Sequence, residues 1–202
     1  MDAALLLAGG RSRRSGQRHK ACRRLPGEGR SWIDRQVECL RRAGFAPVYL
    51  LTGYRPRRVL TCLHHRVVRR HNFKRGHGPF STLQVGLHNL SGAALVVPVD
   101  TILPPAPWLR RLRRIVHARD ILAASPIDRW DGGGHPVMVS RRWAQSLRAV
   151  SVEAADARLD RQLDHLPATA HVRLPWNHFL RYPRLNTGRE WRSAHRRLRR
   201  KP

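Results

Sequence analysis

At 202 residues the chain has room for one well-cored α/β domain and is short for two, and its formal charge of +27, nearly all of it Arg, reflects either anionic partners, phosphates above all, or a coding bias toward Arg. Three cysteines at wide spacings, without a C-x-x-C pair, suggest neither a disulfide framework nor a zinc site and fit a reducing cytoplasm. The first apolar run is short and follows an acidic Asp2, and no later run approaches membrane-spanning length, so a cytoplasmic protein without a membrane partner is expected.

The apolar runs at residues 3–8, 47–52 and 93–99 read as buried strands. Between the first two, Ile33, Val37 and Leu40 recur at helical spacing, and Gly44 ends the pattern. A further helix opens at about Pro79 behind Gly76-His77-Gly78. The later half adds a strand at 136–140 behind a glycine-rich turn and helices near 142–150 and 156–166. A last helix runs from about Gly188 and puts Trp191, Ala194 and Leu198 on one face. Strand and helix alternate, which predicts an α/β fold: a single domain over 1–202 whose mostly parallel sheet is covered on both faces by helices. Ligands of such sheets bind beyond the carboxyl ends of the strands, so the loops after strands are where chemistry is sought.

The first strand runs directly into Leu7-Ala8-Gly9-Gly10-Arg11-Ser12-Arg13-Arg14-Ser15-Gly16-Gln17-Arg18-His19-Lys20. Gly9 and Gly10 either make an ordinary turn or let backbone N–H groups approach an anion closely, where arginine forks with one ammonium can neutralise a triphosphate. The pattern is neither G-x-x-x-x-G-K-[ST] nor G-x-G-x-x-G. The third predicted strand ends in Val97-Pro98-Val99-Asp100, where a carboxylate either caps the following turn or holds a hard cation beside the phosphate loop. In Gly78-Pro79-Phe80-Ser81-Thr82-Leu83, the hydroxyls either satisfy the first helical turn or face a ligand at its N-terminus. Further on stand Gly134-His135-Pro136-Val137 and Leu185-Asn186-Thr187-Gly188-Arg189-Glu190. His135 reads either as a turn residue or as an anion ligand, and Asn186 or Thr187 as the start of the last helix.

The run L-A-G-G-x-S-x-R-x-G-x-x-x-K resembles the opening signature of the MobA-like NTP transferases, and the other segments are similar, in the same order, to that family's later motifs. The resemblance spans Leu5 to Trp191. It implies a Rossmann-like three-layer sandwich of the nucleotide-diphospho-sugar transferase type. It also implies Mg2+-dependent transfer of a nucleoside monophosphate from an NTP, GTP or CTP foremost, to a phosphorylated acceptor such as molybdopterin. Carried over, Leu7, Ala8, Gly9, Gly10 and Ser12 would line the nucleotide, Arg14 its phosphates, and Lys20 the charge at the reacting phosphorus. Asp100 would bind the metal, Gly78 and Ser81 the base and ribose, and His135 and Asn186 the acceptor. Ser15 stands where the family usually has Met, His19 where an acid commonly precedes the Lys, Thr101-Ile102 where a small residue and Pro are usual, and Gly188 replaces Pro.

Two other readings stay open at this stage. The charge and the tryptophans Trp108, Trp130, Trp143 and Trp176 among arginines would suit a nucleic-acid-binding protein. The basic residues are spread along the chain, so binding to polynucleotides is expected to be salt-sensitive and blind to sequence. The departures from the motifs would suit an accessory family member that has lost catalysis.

Overall fold

The computed structural model of the chain describes residues 1–10, 19–24, 28–127, 134–176 and 190–192. The strands are β1 (Ala3–Ala8), β2 (Val48–Thr52), β3 (Val68–His71), β4 (Ala94–Pro98), β5 (Ala123–Ile127), β6 (Val137–Val139) and β7 (His171–Pro175). They form one sheet in the order β3-β2-β1-β4-β6-β5-β7, parallel throughout except where β6 runs against both neighbours. The helices are α1 (Trp32–Arg42), α2 (Pro56–Leu60), α3 (Gly78–Leu87), α4 (Ala106–Ile115), α5 (Arg141–Ala149) and α6 (Leu159–Asp164).

Alternation along each strand divides the core between the two faces of the sheet. Ala4, Leu6 and Ala8 of β1 pack on one face with Ile33, Val37 and Leu40 of α1 and Leu109 and Leu112 of α4. Leu5 turns to the other face, among Phe80, Leu83 and Leu87 of α3 and Trp143 and Leu147 of α5. With helices on both sides, central strands have no solvent face, and so they read as continuous apolar runs. Each fully buried Leu contributes about 1.5–3 kcal/mol of transfer free energy.

The helix expected at Ile33, Val37 and Leu40 is α1, and its ends are chemically defined. Ser31 accepts a hydrogen bond from the Asp34 N–H at 3.2 Å, closing the first turn. At the other end Gly44, at φ +86°, lets Phe45 N–H reach the Leu40 carbonyl at 3.1 Å and Gly44 N–H the Arg41 carbonyl at 2.9 Å. The strand expected at 136–140 is confined to Val137–Val139, and the helix at 156–166 to Leu159–Asp164. Of the last helix, residues 190–192 are described; Trp191 is buried with its ring edge-on to Trp32, centroids 5.3 Å apart, while Gly188, Ala194 and Leu198 lie outside the described residues.

The cysteine reading needs correction, because Cys22 and Cys62 are joined in a disulfide across 40 residues of sequence. The 3-10 turn Lys20–Cys22 follows β1 and packs against α1 and α2, so the pair is made by the docking of separate elements and no local spacing announces it. Cys39 is an unbridged, half-buried thiol.

Two buried carboxylates act as staples. Asp2, ahead of β1, accepts from Arg113 Nε at 2.7 Å and the Ala93 N–H at 3.2 Å, and its Oδ2 pairs with His117 Nε2 at 2.8 Å. Asp34 accepts from the His64 and His65 N–H groups at 2.8 and 3.3 Å and from Ser31 Oγ at 2.9 Å, and its Oδ2 pairs with His64 Nδ1 at 2.7 Å. Burial pushes both carboxyls up, but these hydrogen bonds together hold each below the ordinary value of 3.8. Their stabilisation is therefore complete above the ordinary carboxylate range and is lost as pH falls through the lower folded values. Asp34→Asn is expected to cost about 1–3 kcal/mol near pH 7, read as a lowered melting temperature, and to flatten the acid limb of a melt-versus-pH series. An unchanged acid limb would exclude Asp34 from this role.

Candidate active site

The strand order fixes where a site belongs. From β1 the chain moves outward through β2 and β3, then returns to β4 on the other side of β1, so β1 and β4 flank the topological switch point. Leu7, Ala8, Gly9 and Gly10 close β1 and enter the loop at that point. Asp100 follows β4, registered beside β1 through Leu7 and Pro98.

Lys20 and Asp100, 80 residues apart, meet there: Lys20 Nζ donates to Asp100 Oδ2 at 2.7 Å, each side chain 18% exposed. The backbone that carries Asp100 is gripped from α1. Trp32 Nε1 donates to the Val99 carbonyl at 2.8 Å and Gln36 Nε2 to the Thr101 carbonyl at 2.9 Å, one on each side of the acid. Both residues are 2% exposed; the Trp32 bond is buried away from water, and the Gln36 bond is part-buried. Sequence reading passed over Trp32 and Gln36 as helix residues, although their i, i+4 spacing puts them on one face.

Lys20 is positioned by the residue before it. His19 is buried, and its Nδ1 accepts the Ala21 N–H at 3.2 Å, capping the 3-10 turn. Burial first, then the charge of Lys20, bring the imidazole down to about 4, with a backbone hydrogen bond to Gly10 partly opposing. A neutral ring offers the lone pair that this cap requires, doing there what an acidic side chain would do. Because the folded value lies below the ordinary 6.5, this contribution is complete above that value and declines as pH falls toward 4.

The loop after β2 and helix α3 both close on Gly9. A Cβ on Gly9 would stand 2.8 Å from Thr82 Oγ1 of α3, and one on Gly53 would stand 2.7 Å from the Gly9 carbonyl oxygen. Tyr54 N–H donates to that same carbonyl at 3.2 Å. The loop after β2 therefore fixes the start of the glycine-containing loop after β1 by backbone contact alone. Gly53→Ala is expected to displace Gly9 and weaken nucleotide binding about tenfold with little loss of secondary structure, since a shift of a few tenths of an ångström at a positioned group is costly. Titration calorimetry beside far-UV circular dichroism checks this, and wild-type affinity would refute it.

Gly78 opens α3, and Ser81 is buried one turn in. The Ser81 hydroxyl donates to the carbonyls of Gly78 at 2.9 Å or Lys74 at 3.2 Å and accepts from Asn72 Nδ2 at 2.9 Å. It shapes the loop between β3 and α3, and Asn72, 1% exposed, is a partner that motif reading did not identify. The pairing of Val96 with Val137 in antiparallel register carries residue 135 to the level of Pro98, so half-buried His135 lies at the same edge of the sheet as Asp100. Ser12, Arg14 and Asn186 lie outside the described residues. Among the described residues no group of three His, Cys, Asp or Glu side chains is disposed to hold a metal ion.

The architecture recurs in solved structures at low sequence identity. Rv0371c from Mycobacterium tuberculosis H37Rv is 21% identical over 97% of this chain and 98% of its own, with a TM-score of 0.76. Its complex with manganese superimposes with a TM-score of 0.73 at 18% identity over 96% of this chain and 97% of its own. A nucleotidyl transferase from Methanothermobacter thermautotroptrophicus gives a TM-score of 0.78 at 18% identity, covering 100% of this chain and 99% of that one. Molybdopterin-guanine dinucleotide biosynthesis protein A from Archaeoglobus fulgidus gives 0.72 at 16% identity, covering 100% of both. No curated protein sequence matches the chain. A profile of the MobA-like NTP transferase domain matches residues 4–169, and the chain belongs to that family.

Proposed function

We propose that the chain is a cytoplasmic Mg2+-dependent nucleotidyltransferase that moves a nucleoside monophosphate from GTP or CTP to a phosphorylated acceptor, of which a molybdopterin phosphate is the leading example. The observation that carries the reading is the Lys20–Asp100 pair at the switch point between β1 and β4. An acceptor phosphate oxygen attacks the α-phosphorus, and the bond to the departing pyrophosphate breaks. Lys20 faces the negative charge that gathers at phosphorus, Arg14 adds a guanidinium fork, and the N–H groups of Gly9 and Gly10 with Ser12 hold the phosphates. His135 and Asn186 take the acceptor side, Leu7 and Ala8 form the floor, and Gly78 with Ser81 shapes the base and ribose wall.

The residues present fit magnesium, because Asp100 offers a hard carboxylate oxygen beside the expected phosphates, and Mg2+ is commonly held by one or two carboxylates together with substrate phosphates and water. The manganese complex of Rv0371c supports a divalent ion at this fold. When bound, the ion supplies charge neutralisation on the phosphates. Asp100 presents its carboxylate because Trp32 and Gln36 fix its backbone, and Lys20 keeps that carboxylate paired.

Calorimetric titration with each NTP, with and without Mg2+, followed by pyrophosphate release with candidate phosphorylated acceptors, tests the reading. Mg2+-dependent binding of GTP or CTP is expected. Binding of no NTP under either condition would overturn it.

A further inference from the structure

The disulfide Cys22–Cys62 does not sit in bare surface. It forms part of the wall of a cavity of about 550 Å³ beside the Lys20 turn, with Arg24, Arg58, Thr61 and His64 among the other lining residues and no carboxylate among the described ones. His64 is held from behind by buried Asp34. Arg24 follows the turn that carries Lys20, and Arg58 belongs to α2, so an arginine lines the cavity from each of the two elements that the bond joins. The surroundings also suit the reduced pair. The Arg58 carbonyl oxygen is 2.8 Å from Cys22 Sγ and the Val59 carbonyl oxygen 3.1 Å from Cys62 Sγ, so each thiol would find an acceptor in place.

We propose that this cavity is a thiol–disulfide exchange site for a small thiol that carries carboxylates, and that its redox state sets the activity of the Lys20 turn. The incoming thiolate attacks one cysteine sulfur; the protein S–S bond breaks, a mixed disulfide forms, and the other cysteine leaves as a thiolate that takes a proton. A second molecule of the thiol attacks the mixed disulfide and departs as the small-molecule disulfide. The net change is two-electron reduction of Cys22–Cys62 to two thiols and oxidation of two small thiols to one disulfide. Arg24 and Arg58 bind the carboxylates, and the positive surroundings favour the thiolate that attacks and the one that leaves.

The consequence for catalysis rests on the nucleotidyltransferase reading. Cys22 lies two residues beyond Lys20 on the same 3-10 turn, and the disulfide fastens that turn to the end of α2 with the cysteine Cα atoms 5.2 Å apart. In the oxidised chain Lys20 reaches Asp100. Reduction removes the covalent anchor, leaves the turn held by non-covalent contacts, and lowers turnover on the order of tenfold through loss of positioning.

The test has an arm without nucleotide. Oxidised protein is reduced with mercaptosuccinate or with neutral 2-mercaptoethanol, rates are compared per thiolate present, and the released cysteines are counted by alkylation and mass spectrometry. Mercaptosuccinate is expected to react about tenfold faster at low ionic strength, an advantage removed by salt and by Arg24→Gln with Arg58→Gln. Arg111→Gln with Arg142→Gln, on α4 and α5 and not among the residues that line the cavity, should leave it, separating the local site from the overall charge. Equal rates, or Cys22 and Cys62 found as free thiols after mild oxidation, would overturn the proposal. In the second arm, oxidised wild type should exceed reduced wild type in turnover, with Cys62→Ser matching the reduced chain under either condition. Equal turnover in the two states would overturn the regulatory link. Absence of turnover in both states would count against nucleotidyl transfer itself, and the first arm still decides the exchange site.

Discussion

Lys20→Ala is expected to slow pyrophosphate release by about 10²–10³-fold, the usual loss when one preorganised contact to developing charge is removed. The fold should barely register the change. The Lys20–Asp100 pair is partly exposed, and pairs of that kind contribute about 0–1 kcal/mol, a shift of no more than about 2–4 °C in a melt of a chain this size. Lys20→Arg should recover only part of the rate, because a planar fork cannot occupy the place of a compact ammonium. Forty residues are Lys or Arg and almost all are Arg, so an activity satisfied by any cation would be indifferent to this substitution. Wild-type turnover in Lys20→Ala, or loss explained entirely by unfolding, would remove the loop from catalysis.

Asp100→Asn should have an effect at least as large, on the order of 10³-fold in turnover, equivalent to about 4 kcal/mol of lost transition-state stabilisation. The substitution keeps shape and an oxygen that can accept from Lys20 Nζ, but it removes the charge that a divalent ion requires. NTP affinity should then be the same with and without Mg2+, whereas wild type gains from the ion. This separates the metal role from the alternative in which Asp100 merely stabilises the turn after β4: in that case the variant would melt lower and keep its Mg2+ dependence.

Much of the candidate site was legible because the residues proposed for its chemistry are unusual ones at strand ends. A carboxylate closing the run Ala94–Pro98, and one of few lysines closing the loop after Ala3–Ala8, stand out against their neighbours, and parallel alternation predicts that they meet. The edge of the sheet was not legible. β3 reads Val-Arg-Arg-His, polar because edge strands carry charge to discourage pairing with other chains; Arg70 uses its length to stack 4.0 Å over Tyr49 and bond carbonyls of Val85, Gly86 and His88 near the end of α3. β5 reads Ala-Ala-Ser-Pro-Ile, without alternation, because both of its faces are buried. In α4, Leu109 and Leu112 supply a helical stripe that the surrounding prolines and arginines hide. The Cys22–Cys62 bond and the grip of Trp32 and Gln36 on Val99 and Thr101 arise between elements distant in sequence, where periodicity carries no information.

β6 gives the sheet a seam. On one side the strands β3, β2, β1 and β4 run in parallel, on the other β5 and β7 do, and the two blocks are joined through the three residues Val137–Val139. β4 meets that seam over three residue pairs and β5 over two. Lys20 and Asp100 belong to the first block, while His135 leads into the seam itself. Remodelling of the second block can thus change what is presented to Asp100 while leaving the ammonium and the carboxylate in register, and the amides of Val137–Val139 are where hydrogen exchange would first report the two blocks parting.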